Sequence, residues 1–307
     1  MENQSLNNEA EVCYKQGIHA LKELKDINGA IQNFSKAIQL NPSRHDYWLG
    51  MVFCSRLCKL YDKALAYCDK AIELSPNNEI CWFEKLQTLM EMNDFENSLK
   101  CVDKLVGLNP NNANFYYNKG YIHNKLFNLY KQPDSDKFHL SLVHNGKAIA
   151  ALERAVELNK NFAYAYKELG FALSLQPKED GKALWSFNKA IELGLYNDCL
   201  IFFYMGQLYF FRKEYDHAIS SYDRAISIYQ GANFFFFKGI ALFFKGNYSD
   251  GLNNVEKAVK IEPTNKLYVD TFNGLKKIRL KYIGEKILFF SLDLLRGVLD
   301  SEVTGRK

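Results

Sequence analysis

One pattern of large and small residues occurs twice in succession between positions 199 and 264. Both copies carry, at matching offsets, a large residue, a glycine, a second large residue, an aromatic ring, a small residue, a third large residue and an alanine. In the first copy, 199–231, these residues are Phe202, Gly206, Tyr209, Tyr215, Ala218, Tyr222 and Ala225. In the second copy, 232–264, they are Phe235, Gly239, Leu242, Tyr248, Gly251, Val255 and Ala258. Such a period constrains the fold strongly, because each copy must form the same small unit and bury its apolar face against a neighbour.

The spacing inside one copy predicts two helices. Phe202, Gly206 and Tyr209 fall at i, i+4 and i+7, which is one face of an α-helix, and the second half of the copy repeats this spacing. The segment 212–214 between the two halves is polar. This predicts a tight turn that joins two antiparallel helices.

The glycines and alanines mark places where helices approach closely. Gly206 and Gly239 lie within the first helix of their copies, where glycine costs about 1 kcal/mol relative to alanine. The same residue at the same phase therefore predicts a close backbone approach that leaves no room for a side chain. Ala225 and Ala258 are interpreted in the same way, as contact points for a neighbouring helix.

These residues resemble the tetratricopeptide repeat, a unit of 34 residues with the pattern W-x2-L-G-x2-Y, then A-x3-F, then P. The alanine two-thirds of the way through the unit recurs as Ala37, Ala71, Ala155, Ala190, Ala225 and Ala258, with Leu105 in its place in the third unit. The closing prolines Pro42, Pro76 and Pro110 are 34 positions apart. The resemblance covers nearly the whole chain. It implies an all-α fold, a right-handed superhelical solenoid of antiparallel helix pairs.

The same pattern divides the chain. We expect a flexible N-terminus over 1–9, seven helix pairs over 10–264, a degenerate closing helical pair over 265–300 and a flexible tail over 301–307. The first pair has one extra residue near position 25. Gly120 and Ala148 are 28 positions apart, whereas Gly206 and Ala218 are 12 apart, so the fourth pair carries 16 extra residues near 127–143. We expect both of its helices to lengthen around a loop at 132–136, and a functional loop and a neutral surface loop both remain open.

The segment 285–300 is unusual for the end of a helical array, because it is apolar around most of its circumference. One stripe consists of Ile283, Ile287, Phe290, Leu294 and Val298, and a second of Leu288, Leu292, Leu295 and Leu299. Either this helix folds against the seventh pair and the helix before it, or it is a surface for self-association or a partner. Its polar strip is not rich in lysine, which disfavours membrane-surface binding.

Composition indicates a soluble, cytoplasmic protein. The seven cysteines lack paired spacings, which is typical of a reducing compartment. The N-terminus lacks the features of a signal peptide, and no stretch of about 18 residues is without charge. The net charge of +4 is too small to indicate nucleic acid. Basic residues do cluster near the end of the chain, but the nearby rings Phe272 and Tyr282 fall in an apolar stripe, so a solvated helix face is favoured over a single-strand site.

No catalytic, cofactor or metal site is predicted. Cys54, Cys58 and Cys68 are expected to be buried small residues rather than metal ligands. His139 and His144 are five positions apart and do not share a helical face. The sequence contains no phosphate-loop, dinucleotide-binding or zinc-protease motif, and the repeat occupies every long segment. We therefore expect a protein that is not an enzyme and needs no cofactor.

The resemblance implies that the first helices of the pairs line a concave groove. The groove positions of the second pair are Asp46, Leu49, Phe53 and Arg56, and those of the third pair are Ile80, Phe83, Gln87 and Met90. Candidate partner-binding residues on the later pairs are Tyr117, Tyr121, Asn124, Tyr164, Lys167, Phe203, Gln207, Asn233 and Phe236. This aromatic surface with scattered amides suits an extended peptide or an amphipathic helix. The alternative for the phenylalanines is packing between neighbouring pairs.

The predicted function is a protein–protein interaction scaffold or adaptor that binds a peptide or helix of another protein in the aromatic concave groove. Two alternatives remain open. One is self-association into a homo-oligomer through 285–300, and the other is a non-catalytic subunit of a larger enzyme-containing complex. Nucleic acid and membrane are disfavoured as partners.

Overall fold

The structure, a computed structural model, describes residues 2–131, 137–176 and 178–282. All regular secondary structure in these ranges is helical, which confirms the all-α prediction. The α-helices of this part of the chain are α1 Glu2–His19, α2 Ile27–Leu40, α3 His45–Leu57, α4 Tyr61–Leu74, α5 Glu79–Glu91, α6 Phe95–Leu108, α7 Ala113–Tyr130, α8 Ser141–Leu158, α9 Ala163–Ser174, α10 Asp180–Glu192, α11 Cys199–Phe211, α12 Tyr215–Ile228, α13 Ala232–Lys245, α14 Tyr248–Ile261 and α15 Lys266–Tyr282.

Tight turns join the two helices of a pair, as the polar segments predict. The turn between α11 and α12 is formed by residues 212–214, and that between α13 and α14 by residues 246–247. In four of these turns one residue has a left-handed backbone, with φ of 58° at Lys59, 58° at Asn93, 64° at Lys213 and 95° at Gly246. The repeat therefore preserves the turn geometry even where the residue type changes.

The chain divides into two compact units, an N-terminal unit, 1–126, and a C-terminal unit, 127–307. In the N-terminal unit, Phe34 of α2 is fully buried. A Cβ atom added at Gly17 of α1 or Gly50 of α3 would lie 2.6 or 2.8 Å from this ring. Both helices thus approach Phe34 at positions that lack a side chain.

The start of the chain is helical, since α1 begins at Glu2, and the flexibility of 1–9 stays a prediction. Polar contacts link α1 to α2 and to the residue after it. The Asn41 amide donates a hydrogen bond to Oδ1 of Asn7 at 2.8 Å, and Lys36 pairs with Glu9 at 2.8 Å. A π-helical turn at Ala20–Leu24 lies next to the extra residue of the first pair, and each of its hydrogen bonds spans one residue more than in an α-helix.

The repeated alanines are core residues in both units, as predicted. Seven residues at this repeat position are fully buried: Ala37, Ala71, Leu105, Ala155, Ala190, Ala225 and Ala258. The predicted close approach at the glycines is also confirmed. A Cβ atom at Gly206 would lie 2.5 Å from the Tyr222 ring, and one at Gly239 would lie 2.7 Å from Cγ2 of Val255.

Both helices of the fourth pair are long: α7 and α8 each contain 18 residues, whereas α2 to α6 contain 13 or 14. A 3-10 turn at Phe138–Leu140 leads into α8. The rings of Tyr130 and His144 lie 5.3 Å apart, so the end of α7 contacts the start of α8. His139, by contrast, is exposed, and the loop expected at 132–136 lies outside the described residues.

The last described helix, α15, packs on the C-terminal unit through its buried residues Tyr268 and Leu275. The apolar segment 285–300 and the tail 301–307 lie outside the described residues. Within the part of the chain that the structure describes, no helix is long and apolar enough to cross a membrane.

The cysteines follow the prediction except at one position. Cys54 and Cys68 are fully buried, and burial raises the pKa of these thiols to about 11 and about 12. Cys58 is exposed instead of buried. The reason is that α3 ends at Leu57, so Cys58 lies in the turn after the helix rather than on its packed face.

Candidate functional site

An open apolar surface lies on the first helices of three pairs in the N-terminal unit. We call it the N-terminal face, and its residues are Leu49 and Phe53 of α3, Ile80 and Phe83 of α5, and Tyr117 and Tyr121 of α7. Phe53 is 46% exposed and Ile80 is 59% exposed, whereas the other four residues are half-buried. Large apolar side chains this open, on neighbouring helices, are typical of an interaction surface.

Helical phase explains why Phe53 faces outwards. Tyr47, Met51 and Cys54 are spaced four and three apart and form a buried stripe of α3. Phe53 is two positions from Met51, a rotation of about 200° around the helix, so its side chain points away from that stripe. The open stripe also carries Leu49 and Arg56, at the spacing that the sequence predicts for groove residues.

A three-residue ionic cluster joins α3 to α5 beside this face. The Arg56 guanidinium donates to Glu84 at 2.6 Å and also to Glu91. Burial would by itself lower the pKa of Arg56, but the hydrogen bonds and charges of the two carboxylates raise it above its ordinary value. The cluster contains one cation and two carboxylates, so it carries one excess negative charge.

Aromatic contacts hold the rings on α5 and α7 in place. Phe83 lies 6.5 Å from Phe115, and the rings of Tyr117 and Tyr121 lie 6.2 Å apart. The Lys125 ammonium lies over the Tyr121 ring at 4.9 Å. These rings offer broad apolar area, and the tyrosines add hydroxyl groups that hydrogen-bond.

Four of the predicted contact residues are accessible in the C-terminal unit. Tyr164 is 54% exposed at the start of α9. Lys167 is half-buried and its ammonium pairs with Asp198 at 2.7 Å. Gln207 and Asn233 are half-buried, and the Asn233 side-chain oxygen accepts a hydrogen bond from the amide N–H of Phe234 at 3.0 Å.

Three predicted contact residues are core residues instead, and this corrects their interpretation as an open groove surface. Asn124, Phe203 and Phe236 are all buried. The Phe203 ring lies 5.1 Å from Phe234 of the next pair, and Phe236 lies 4.7 Å from Tyr268 of α15. The two phenylalanines therefore pack between neighbouring helices, the alternative considered for them from the sequence.

A signal for the burial of Phe203 was present in the sequence. The segment of α11, CLIFFYMGQLYFF, contains no charged residue, and a helix that is apolar on every side is generally buried on every side. No pattern in the sequence indicated that Arg56 pairs with Glu84 and Glu91. This pairing joins residues of different pairs, and only the stacking of α3 on α5 brings them together.

The sequence profile of the tetratricopeptide repeat matches residues 10–44, 47–78, 81–112 and 202–231. These four segments are tetratricopeptide repeats. They fall on helix pairs of both units, and the first three cover most of α1 to α6, which carry much of the N-terminal face. No curated protein matches this chain significantly in sequence.

Solved structures of other tetratricopeptide repeat proteins show the same fold. One from Parabacteroides merdae has a TM-score of 0.58 at 14% identity, covering 87% of this chain and 98% of that one. PilW, a type IV pilus biogenesis factor, has a TM-score of 0.58 at 12% identity, covering 74% and 97%. The Cut9–Hcn1 hetero-tetramer of the APC/C has a TM-score of 0.57 at 13% identity, covering 88% of this chain and 55% of that one. At these identities the likeness concerns the fold alone.

Proposed function

We propose that this tetratricopeptide repeat protein is a scaffold or adaptor that binds a segment of another protein on the N-terminal face. The observation that supports this most directly is the exposure of Phe53 and Ile80 on adjacent first helices. Repeat proteins of this kind generally act through protein contacts, and the structural neighbour Cut9–Hcn1 is an assembly of different chains.

The chemistry of the N-terminal face suits a short peptide or one side of a helix. Its aliphatic and aromatic side chains provide area for apolar anchors, and Tyr117 and Tyr121 provide polar groups among them. In the C-terminal unit, Tyr164, Lys167, Gln207 and Asn233 are proposed as additional contact residues, because they are accessible on the first helices α9, α11 and α13.

The test is affinity capture of partners by the full-length chain, with a photo-crosslinking amino acid placed at position 121. Crosslinks to one partner, which disappear in the Phe53→Asp variant, are the expected result. The matched control carries the crosslinker at position 229, where an exposed tyrosine lies after α12 and outside the N-terminal face. Equal crosslinking from both positions would argue against a specific site on the N-terminal face.

The remaining sequence-based expectations stay predictions. They are self-association through 285–300, membership of a larger enzyme-containing complex, the lack of catalysis and the cytoplasmic location. Sedimentation of the full chain separates the first of these from the others, because a homo-oligomer has an apparent mass well above 35.5 kDa.

A further inference from the structure

We propose that the segment bound on the N-terminal face carries a lysine or arginine next to an apolar anchor residue. The anchor contacts Phe53 and Ile80, and the basic group binds the carboxylates of Glu84 and Glu91. This inference rests on the proposed function and specifies its ligand class, a basic and apolar peptide segment.

The inference depends on the balance of positive and negative charges around Arg56. In two comparable contacts between neighbouring helices of the N-terminal unit, a cation faces one carboxylate: Lys85 faces Asp69 and Lys119 faces Asp103, each at 2.6 Å. Arg56 faces two, Glu84 and Glu91. Its guanidinium neutralises one negative charge, and the second remains for a cation supplied from outside.

The surroundings of this cluster strengthen its preference for a cation. The side chain of Arg56 is only 18% exposed and those of Glu84 and Glu91 are 24% and 39% exposed, so a partner that covers them also removes water from the pair. Charge interactions become stronger as water is excluded. An acidic segment at the same place would be repelled and would leave carboxylates desolvated without a counter-charge.

The other charged groups on this side of the unit do not cancel the excess. Arg44 pairs with Asp46 near the start of α3 and lies 3.9 Å from Glu11 of α1, which also pairs with Lys15, so these two cations face two carboxylates. Lys125 is a cation on the α7 side, where it lies over the Tyr121 ring. The excess negative charge is therefore local to the α3–α5 contact, beside Phe53.

The experiment selects short peptides from a random phage-displayed library on the immobilised full-length protein. Peptides enriched by the wild type are expected to combine an aliphatic or aromatic residue with lysine or arginine. The Glu84→Gln/Glu91→Gln variant should lose this basic preference and bind an enriched basic peptide about tenfold more weakly. Added salt should weaken the binding of the same peptide to the wild type.

Two controls keep the result interpretable. Glu73→Gln removes an exposed carboxylate that pairs with Lys70 on α4, and it should leave both the enrichment and the affinity unchanged. The single variants Glu84→Gln and Glu91→Gln, each with its thermal melt, separate a loss of binding from a loss of folding, because Arg56 keeps one partner in each.

The outcomes distinguish this inference from the proposed function. Peptides that depend on Phe53 but are neutral or acidic would overturn the basic ligand class and leave the binding function standing. If the wild type enriches no peptide that depends on Phe53, this would count against both the basic ligand class and the proposed binding function. Basic peptides that bind the double glutamine variant as tightly as the wild type would overturn the role of Glu84 and Glu91.

Discussion

Gly206 of α11 and Tyr222 of α12 lie so close together that a Cβ atom on the glycine would be 2.5 Å from Cε1 of the tyrosine ring. The same relationship links Gly170 to Phe187 at 2.7 Å in the pair before it. A large ring on the second helix thus occupies the space that a missing side chain leaves on the first. This contact sets how closely the two helices of a pair approach each other.

Gly206→Ala is expected to destabilise the protein. Alanine favours the helix by about 1 kcal/mol, but overpacking against the buried Tyr222 ring costs about 1–3 kcal/mol. Gly146→Ala in α8 is the matched control, because nothing lies within 4 Å of the added Cβ atom and only the helix preference acts. Urea unfolding midpoints should therefore move down for Gly206→Ala and up for Gly146→Ala. A rise for both would mean that α11 and α12 are farther apart than described.

Tyr222→Phe is expected to stabilise the protein by about 1 kcal/mol. Tyr222 is fully buried, and its hydroxyl has no hydrogen-bond partner among the described residues. Burial also raises its pKa, so the hydroxyl stays protonated and its desolvation is not compensated. The measurement is the free energy of unfolding, with Tyr164→Phe at an exposed position as a control that should change little. A destabilised Tyr222→Phe protein would indicate that the hydroxyl has a partner in solution.

The residues that repeat made most of the fold predictable. Alanine at one offset predicted a buried contact, and each occurrence, such as Ala225, is fully buried. The polar segment 212–214 predicted the turn between α11 and α12. Such positions were predictable because each copy of the repeat makes the same local contacts, and similar residues make them.

The candidate site was less predictable, because exposure depends on what covers a residue. Phe53 and Phe236 occupy corresponding first-helix faces, yet Phe53 is open and Phe236 is covered by Tyr268. The offset in the repeat assigned both residues to the groove. Only the position of the next helix decides between a contact residue and a core residue.

Gly246→Ala is expected to destabilise the protein, and Lys213→Gly to stabilise it, each by about 1 kcal/mol. Both positions have the left-handed backbone of the inter-helix turn, with φ of 95° and 64°. This conformation strains a residue that has a side chain and leaves glycine unstrained. Thermal melts of the two variants should shift in opposite directions. A stabilised Gly246→Ala protein would show that this turn is not left-handed.

Alkylation of the native protein is expected to modify Cys58 first. Cys58 is exposed, whereas Cys68 is fully buried and burial raises its pKa to about 12, so little reactive thiolate is present. Mass spectrometry of peptides after a short iodoacetamide treatment measures the order. Cys54 and Cys68 should react at comparable rates to Cys58 only after unfolding in urea. Equal reactivity of Cys68 in the native state would contradict the packing of α4 against α3.

Phe236→Ala and Tyr121→Ala are expected to separate stability from binding. Phe236 is fully buried against Tyr268, so its truncation removes core contacts and should cost about 3–5 kcal/mol of unfolding free energy. Tyr121 is half-buried on the N-terminal face, so Tyr121→Ala should leave the circular dichroism melt nearly unchanged and weaken partner capture. Melting and capture are measured on the same two preparations. A large drop in the melting temperature of Tyr121→Ala would place that ring in the core, because only a side chain that packs inside the fold contributes so much to stability.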